Sequence, residues 1–202
     1  MKVVHMFSFL SLLLVMLTGC SNNESASLIK DHKFGLHAQG EFYRFNKAEQ
    51  IGIYSTGPIT IEFETAETIK GSMGTKVSYY DKEEYKDMEL LGVHLKFEVN
   101  DEEVDLDKLN FSNDENIHLI TDTGEVIDRP DQSLSSIIDI AILKNAQIQV
   151  ADFEPQLRMF IFQLEKSTAE EIEEATLIID APVDSEGNTV GEALEIEIDF
   201  KE

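Results

Sequence analysis

Apolar and polar residues alternate in several short segments of this chain, and this period of two is the feature that most restricts its fold. The alternation is clearest over residues 59–64, 93–99 and 194–200. Successive side chains of a β-strand point to opposite faces, so each segment predicts a strand with one buried and one exposed face. The chain beyond residue 34 is therefore expected to consist mainly of β-strands.

Other segments have weaker strand patterns. Strands are also predicted over 42–45, 51–54, 117–120, 126–127, 157–164 and 176–180. The nearly continuous apolar run at 157–164 predicts a central strand that is covered on both faces. Residues 135–150 fit both helical and strand spacing, and their isoleucines favour a strand. A capping-box pattern from Ser167 to Glu170 predicts one or two helical turns over 170–175.

Eight to ten short strands and no long helix indicate an all-β domain over residues 34–202. Strands of this length with regular turn signals are typical of an immunoglobulin-like antiparallel β-sandwich. The chain has no tryptophan and only one cysteine. It therefore lacks the Cys–Trp–Cys core of true immunoglobulin domains, and the prediction depends on the strand pattern alone.

The first 33 residues have a different character. Lys2 precedes an apolar run over 6–17, which is shorter than the roughly 20 residues that a membrane-spanning helix needs. A basic start, a short apolar run and small residues after it predict a secretory signal peptide over 1–19. The polar residues that follow have nothing to bury, so residues 20–33 are predicted to form a flexible tether.

The end of the apolar run, Leu17-Thr18-Gly19-Cys20, resembles the bacterial lipobox. This resemblance implies cleavage between Gly19 and Cys20, and a diacylglyceryl group on the Cys20 thiol, with or without an N-acyl group. Two acyl chains anchor a protein stably where one does so only marginally. The resemblance thus implies a lipoprotein at the extracellular face of the cell membrane. With the only cysteine carrying lipid, no thiol remains for a disulfide or a metal.

A second resemblance covers residues 91–99, 120–125, 157–164 and 176–200. These segments are similar to Gram-positive lipoproteins that carry an immunoglobulin-like extracellular domain of unknown function, related to the immunoprotective extracellular proteins. The resemblance implies a sandwich fold. It brings no catalytic residues.

The charge of the chain restricts its partners. Forty acidic and 16 basic residues give a formal net charge of −24. Nucleic acid is excluded as a partner because its binding needs lysines and arginines that displace phosphate counterions. Direct adsorption to an anionic lipid surface is opposed for the same electrostatic reason. Cations and basic proteins are the compatible partners, although the charge also serves solubility.

No motif for catalysis or for a cofactor is present. The sequence contains no glycine-rich phosphate loop, no His-Glu-x-x-His and no Gly-x-Ser-x-Gly. The histidines beyond the signal peptide are widely separated: His32, His37, His94 and His118. Solvated surface histidines are the expected interpretation, so the prediction is that the chain has no catalytic residue, no metal site and no cofactor.

Carboxylates leave two alternatives open. Glu195, Glu197 and Asp199 share one face of the last predicted strand, which would suit a carboxylate-dependent hydrolase of the cell envelope. A solvated strand face is the simpler interpretation. The loop 180–192 contains Asp184 and would suit a calcium-dependent surface module, but its spacing does not match an EF-hand.

These observations together predict a non-enzymatic binding or interaction module at the bacterial cell surface. Its partner is expected to be another envelope or extracellular protein. The candidate contact residues are Tyr79, Tyr80 and Tyr85 in a long exposed loop over 71–86, since tyrosine offers rigid area and a hydroxyl group. The alternative is that these tyrosines pack beneath the loop. The acidic loop 100–107 is a second candidate surface.

Overall fold

The computed structural model describes residues 26–29, 40–73, 85–100, 109, 114–136 and 157–201. Within these ranges the chain is built mainly from β-strands. In chain order they are β1 (Ser27–Leu28), β2 (Gly40–Thr56), β3 (Ile59–Met73), β4 (Met88–Val99), β5 (Ile117–Thr121), β6 (Val126–Ile127), β7 (Leu157–Gln163), β8 (Glu174–Ile179) and β9 (Leu194–Asp199). A short 3-10 helix covers Asp114–Asn116, and residues 132–136 form a short α-helix.

The strands form two antiparallel sheets. The order of the first is β1-β2-β3-β4-β7, and the order of the second is β6-β5-β8-β9. Apolar side chains from both sheets pack together between them, including the fully buried Phe63 and Phe162 of the first and Leu177 of the second. The prediction of an all-β antiparallel sandwich is confirmed.

Strand alternation explains which side chains reach this inter-sheet core. In β4, Val93, Leu95 and Phe97 are buried, whereas His94 and Lys96 between them are partly exposed, as predicted. The Phe97 ring meets the ring of Phe160 edge to face, with ring centroids 6.4 Å apart. Such aromatic pairs add about 1 kcal/mol beyond the burial of their surface.

A second apolar cluster covers part of the other face of the five-stranded sheet. We call it the outer cluster, and its members are Ile29, Phe42, Ile69, Met73, Tyr85, Met88, Leu90, Leu134, Met159 and Ile161. β3 and β4 are long enough to serve both cores, because one part of each strand contributes to the inter-sheet core and another part to the outer cluster. The five-stranded sheet therefore has a hydrophobic core on each face.

β2 and β3 are longer than the sequence pattern predicts. The two strands expected at 42–45 and 51–54 are parts of the single strand β2. Its pairing with β3 shifts register between Arg44 and Asn46 and again between Glu49 and Gly52, and each shift interrupts the alternation. β3 continues to Met73, so the loop predicted from residue 71 begins later.

The β2–β3 hairpin is held against the loop after β8. Gly57 in its turn has φ 54°, and a Cβ atom there would overlap the carbonyl oxygen of Val190. The Thr56 hydroxyl donates to the carbonyl oxygen of Glu192 (2.6 Å) and accepts from the Glu192 backbone N–H (2.9 Å). These bonds join the end of the first sheet to the second.

The strand predicted at 157–164 is present as β7, which ends at Gln163, but among the described strands it lies at the edge of its sheet rather than at the centre. β7 is covered on both faces, since Phe160 and Phe162 enter the inter-sheet core while Met159 and Ile161 enter the outer cluster. It is nevertheless the last described strand of its sheet and pairs with β4 alone. The segment at 131–135 caps its other edge, through bonds from Asp131 N to Ile161 O (2.7 Å) and from Ile161 N to the Ser135 hydroxyl (3.0 Å).

The helical turns predicted over 170–175 are absent. Residues 169–171 form a turn, and β8 begins at Glu174. The Ser167 hydroxyl forms a hydrogen bond with the Thr123 hydroxyl (2.6 Å). It therefore points to the β5–β6 turn and not to the backbone that it was expected to cap. The strand predicted at 135–150 lies outside the described residues from 137 onward, and residues 135 and 136 are helical.

The tether prediction is wrong for residues 27–29. Ser27 and Leu28 pair with Arg44 and Tyr43, and Ile29 is only 3% exposed within the outer cluster. Residues 1–25 lie outside the described ranges, so the signal peptide and the lipid site at Cys20 stay predictions. The described ranges contain no helix that is both long and apolar enough to cross a bilayer.

Candidate functional site

The predicted contact tyrosines do not form an exposed patch in the described part of the chain. Tyr85 is 9% exposed and belongs to the outer cluster with Ile29 and Met88. The prediction that Tyr85 is a surface contact is wrong, because the sheet beneath it offers a second apolar face. Tyr79 and Tyr80 lie outside the described residues, as do residues 101–107 of the predicted acidic loop.

Glu67 is a fully buried carboxylate in the middle of β3. Its side chain is 0% exposed, and its Oε2 accepts from the Arg44 Nε at 2.6 Å. The Lys47 Nζ is 3.7 Å from Oε1. A buried charge needs such partners because its removal from water is costly. The two cations join β2 to β3 and compensate the negative charge of Glu67.

Glu125 is a second buried carboxylate and connects two loops. Oε1 accepts the backbone N–H groups of Glu165 (2.8 Å) and Lys166 (3.1 Å), and Oε2 accepts that of Ser167 (2.8 Å). Burial raises the pKa of Glu125, but the hydrogen bonds from Ser167, Glu165 and Lys166 outweigh it and hold this pKa below its ordinary value. Glu125 is therefore an ionised group that fixes the β5–β6 turn to the 165–167 segment.

The histidines that the sequence places on strands are on different sheets. His94 of β4 pairs with Glu64, with Nδ1 and Oε2 2.9 Å apart. His118 of β5 contacts the Asp128 carbonyl oxygen through Nδ1 (2.5 Å) and the Asp180 carboxylate through Nε2 (3.2 Å). Partial burial lowers the pKa of His118, but these two acceptors raise it more, so the net shift is upward. Both ring nitrogens face acceptors, which favours the charged form.

The calcium candidate at 180–192 is a hydrogen-bonded turn. The Asp184 Oδ1 accepts backbone N–H groups from Glu186 (2.9 Å) and Asn188 (2.8 Å), and the Asn188 side-chain amide donates to Oδ2 (3.0 Å). The Asn188 bonds are the main cause of the lowered pKa of Asp184. In the described part of the chain, no three histidine, cysteine or acidic side chains come together as metal ligands would.

The outer face of the four-stranded sheet is open to solvent. Glu195, Glu197 and Asp199 are exposed and alternate with buried Ile196 and Ile198, so the three carboxylates share this face as predicted. Beside them are apolar and polar side chains of the neighbouring strands: His118, Ile120, Val126, Thr176 and Ile178. Val126 is 57% exposed.

A depression of 320 Å³ lies at one end of this outer face. Carboxylates surround it, from Asp122, Glu174, Glu197 and Asp199. Asp122 accepts the backbone N–H groups of Glu173 and Glu174, and Lys201 pairs with the same two residues. These contacts join the Asp122 turn and Lys201 to the residues where β8 begins, beside the depression.

Comparisons with known proteins bear on the fold only. No family of known proteins matches the sequence, and no curated protein matches it significantly. Among solved structures, the chain is similar to the crystal structure of a functionally unknown protein from Listeria monocytogenes EGD-e, with a TM-score of 0.50 and 10% identity. The match covers 83% of this chain and 93% of that one.

Proposed function

We propose that this protein is a lipid-anchored extracellular β-sandwich that acts as a non-enzymatic binding module at the bacterial cell surface. Its partner is another envelope or extracellular protein, and the membrane is reached through the lipid on Cys20. The observation that supports a binding role is the open outer face of the four-stranded sheet. That face carries an exposed valine beside a row of carboxylates, and such a negative row would attract a positively charged protein surface.

The carboxylates favour this proposal over a hydrolase. Glu195 and Glu197 are neighbours on the same strand face, and both are exposed to solvent. An acid/base pair works through two groups in contrasting environments. The buried carboxylates Glu67 and Glu125 are each held by partners that join parts of the fold. The hydrolase and the calcium-dependent module stay as alternatives.

The anchor is tested by replacing its attachment point. We expect Cys20→Ser to release the protein from membranes or to leave it as an unprocessed precursor, because serine offers no thiol for the thioether link. Fractionation of cells, with the mass of the product measured in each fraction, checks this. A Cys20→Ser protein that is processed after Gly19 and still sediments with membranes would contradict the anchor.

The binding role is tested by crosslinking on intact cells. A photoreactive residue at Val126 or Thr176 on the outer face is expected to form adducts with a defined protein, because these positions face outward on the open sheet. The matched control is Ser185, an exposed residue in the 184–188 turn. The same set of adducts from all three positions would indicate random collision and would count against the proposal.

A further inference from the structure

We propose that the outer edge of β9 binds an extended basic segment of a protein partner as an additional β-strand. This inference rests on the proposed function and names the class of partner. Three observations carry it: the direction of the β9 backbone groups, the state of the other sheet edges, and the charge along β9.

Alternate backbone groups of β9 point away from β8. The Phe200 N–H donates to the Glu173 carbonyl oxygen (3.0 Å), and the register continues with Ala175 opposite Ile198. In an antiparallel pair the residues between two hydrogen-bonded pairs direct their N–H and C=O groups outward. Those residues are Glu195, Glu197 and Asp199. Within the described part of the chain, no strand pairs with that edge.

The other described sheet edges are short, capped or irregular. β6 has two residues, and the edge of β7 is bonded to the segment at 131–135. β1 covers only two residues of β2, but the rest of β2 is interrupted by two register shifts and by Gln50 at φ 54°. Bulges and short edges prevent the addition of a strand. β9 has six residues in unbroken register with β8.

The negative charge of β9 favours a basic segment as the added strand. Its outward-facing carboxylates recur at every second residue, about 7 Å apart along the strand. Glu195 and Glu197 are exposed, and the whole chain carries a net charge of −24. An added strand with lysine or arginine at alternate positions would place opposite charges side by side. A second copy of β9 would place like charges side by side, so self-association through this edge is opposed.

The test uses the full lipidated chain in detergent and labelled ten-residue peptides, with binding followed by fluorescence anisotropy. The probe peptide alternates lysine and threonine. One control peptide alternates glutamate and threonine, and another has the lysine–threonine sequence with alternate backbone nitrogens methylated. We expect the probe to bind and the glutamate–threonine peptide not to bind. The methylated peptide should bind with an affinity about tenfold lower than the probe, because its backbone hydrogen bonds are lost.

Two substitutions at one position separate charge from backbone pairing. Glu197→Gln keeps the outward N–H and is expected to weaken binding up to about fivefold through loss of one cross-strand charge pair. Glu197→Pro also removes the N–H, which points away from β8, and is expected to weaken binding about tenfold or more while the fold is kept. Glu171→Gln, an exposed change in the 169–171 turn, is the control and should bind as the wild type does.

Two results would overturn the inference. The first is equal binding by Glu197→Pro and Glu197→Gln, together with equal affinity for methylated and unmethylated peptides, which would mean charge attraction without strand pairing. The second is no binding of the probe at all. If the probe does not bind but a photoreactive residue at Thr176 still forms adducts with a defined protein on cells, the proposed function stands and only this inference is removed. If Glu197→Pro unfolds, the methylated peptide still decides the question.

Discussion

Arg44→Met is expected to lower the free energy of unfolding by about 3 kcal/mol, because removal of one partner from a buried ion pair leaves a charge in the protein interior. Of the two described cations near Glu67, Arg44 is the closer, at 2.6 Å against 3.7 Å for Lys47. Methionine keeps most of the apolar length of the side chain, so the loss reports mainly on charge. Urea unfolding of the purified protein measures the change.

The partner substitutions give this prediction its controls. Lys47→Met should cost less than about 1 kcal/mol, since Lys47 is more distant from Glu67 and more exposed to solvent than Arg44. The double change Arg44→Met with Glu67→Met should recover part of the loss, because no buried carboxylate remains. A double variant less stable than Arg44→Met alone would contradict the interpretation of Glu67 as a buried charge compensated by Arg44.

Glu125→Ala is expected to cost about 3 kcal/mol at neutral pH, since it leaves several backbone N–H groups without their charged acceptor. For a chain of this size the melting temperature should fall by about 6–12 °C. The control is Glu165→Ala, which removes an exposed carboxylate from the adjoining loop and should change the melting temperature little. Thermal unfolding followed by circular dichroism compares the two variants.

The pH dependence of Glu125→Ala distinguishes a carboxylate from a side chain that merely packs. The pKa of Glu125 is lowered in the folded protein from its ordinary value of 4.5. The stabilisation is therefore complete above pH 4.5 and is lost as the pH falls through the folded-state pKa. The difference between wild type and variant should shrink below pH 4.5. A difference that stays constant down to pH 3 would show that ionisation of Glu125 does not matter.

The alternating pattern predicted the fold where a strand has one core-facing side. β9 and the 93–99 part of β4 are such cases, and their burial follows the sequence residue by residue. The pattern did not predict β2 as a single strand, because two register shifts change which of its residues face the core. The run at 157–164 predicted a central strand because it is apolar on both faces. β7 lies at the edge of the described sheet instead, and it is apolar on both faces because each face packs into one of the two hydrophobic clusters.

The buried carboxylates could not be found from the sequence. Glu67 follows the alternating segment 59–64, but the register shift between Phe63 and Thr65 breaks the alternation before it, so the pattern does not place its side chain. Its burial depends on the cover over the second face of the sheet. Glu125 lies 40 residues from Glu165 in the chain, and a turn sequence alone does not show which distant N–H groups it will meet. In contrast, the exposed row at Glu195 and Glu197 depends only on local alternation, and it was predicted correctly.

The presence of a hydrophobic core on each face of the five-stranded sheet has a consequence for cooperativity. Because β3 and β4 contribute to both cores, disruption of their pairing removes side chains from both cores at once. The inter-sheet core and the outer cluster should therefore unfold in one transition, and damage to either should lower the same midpoint. Regions that share their central strands behave as one cooperative unit rather than as two subdomains.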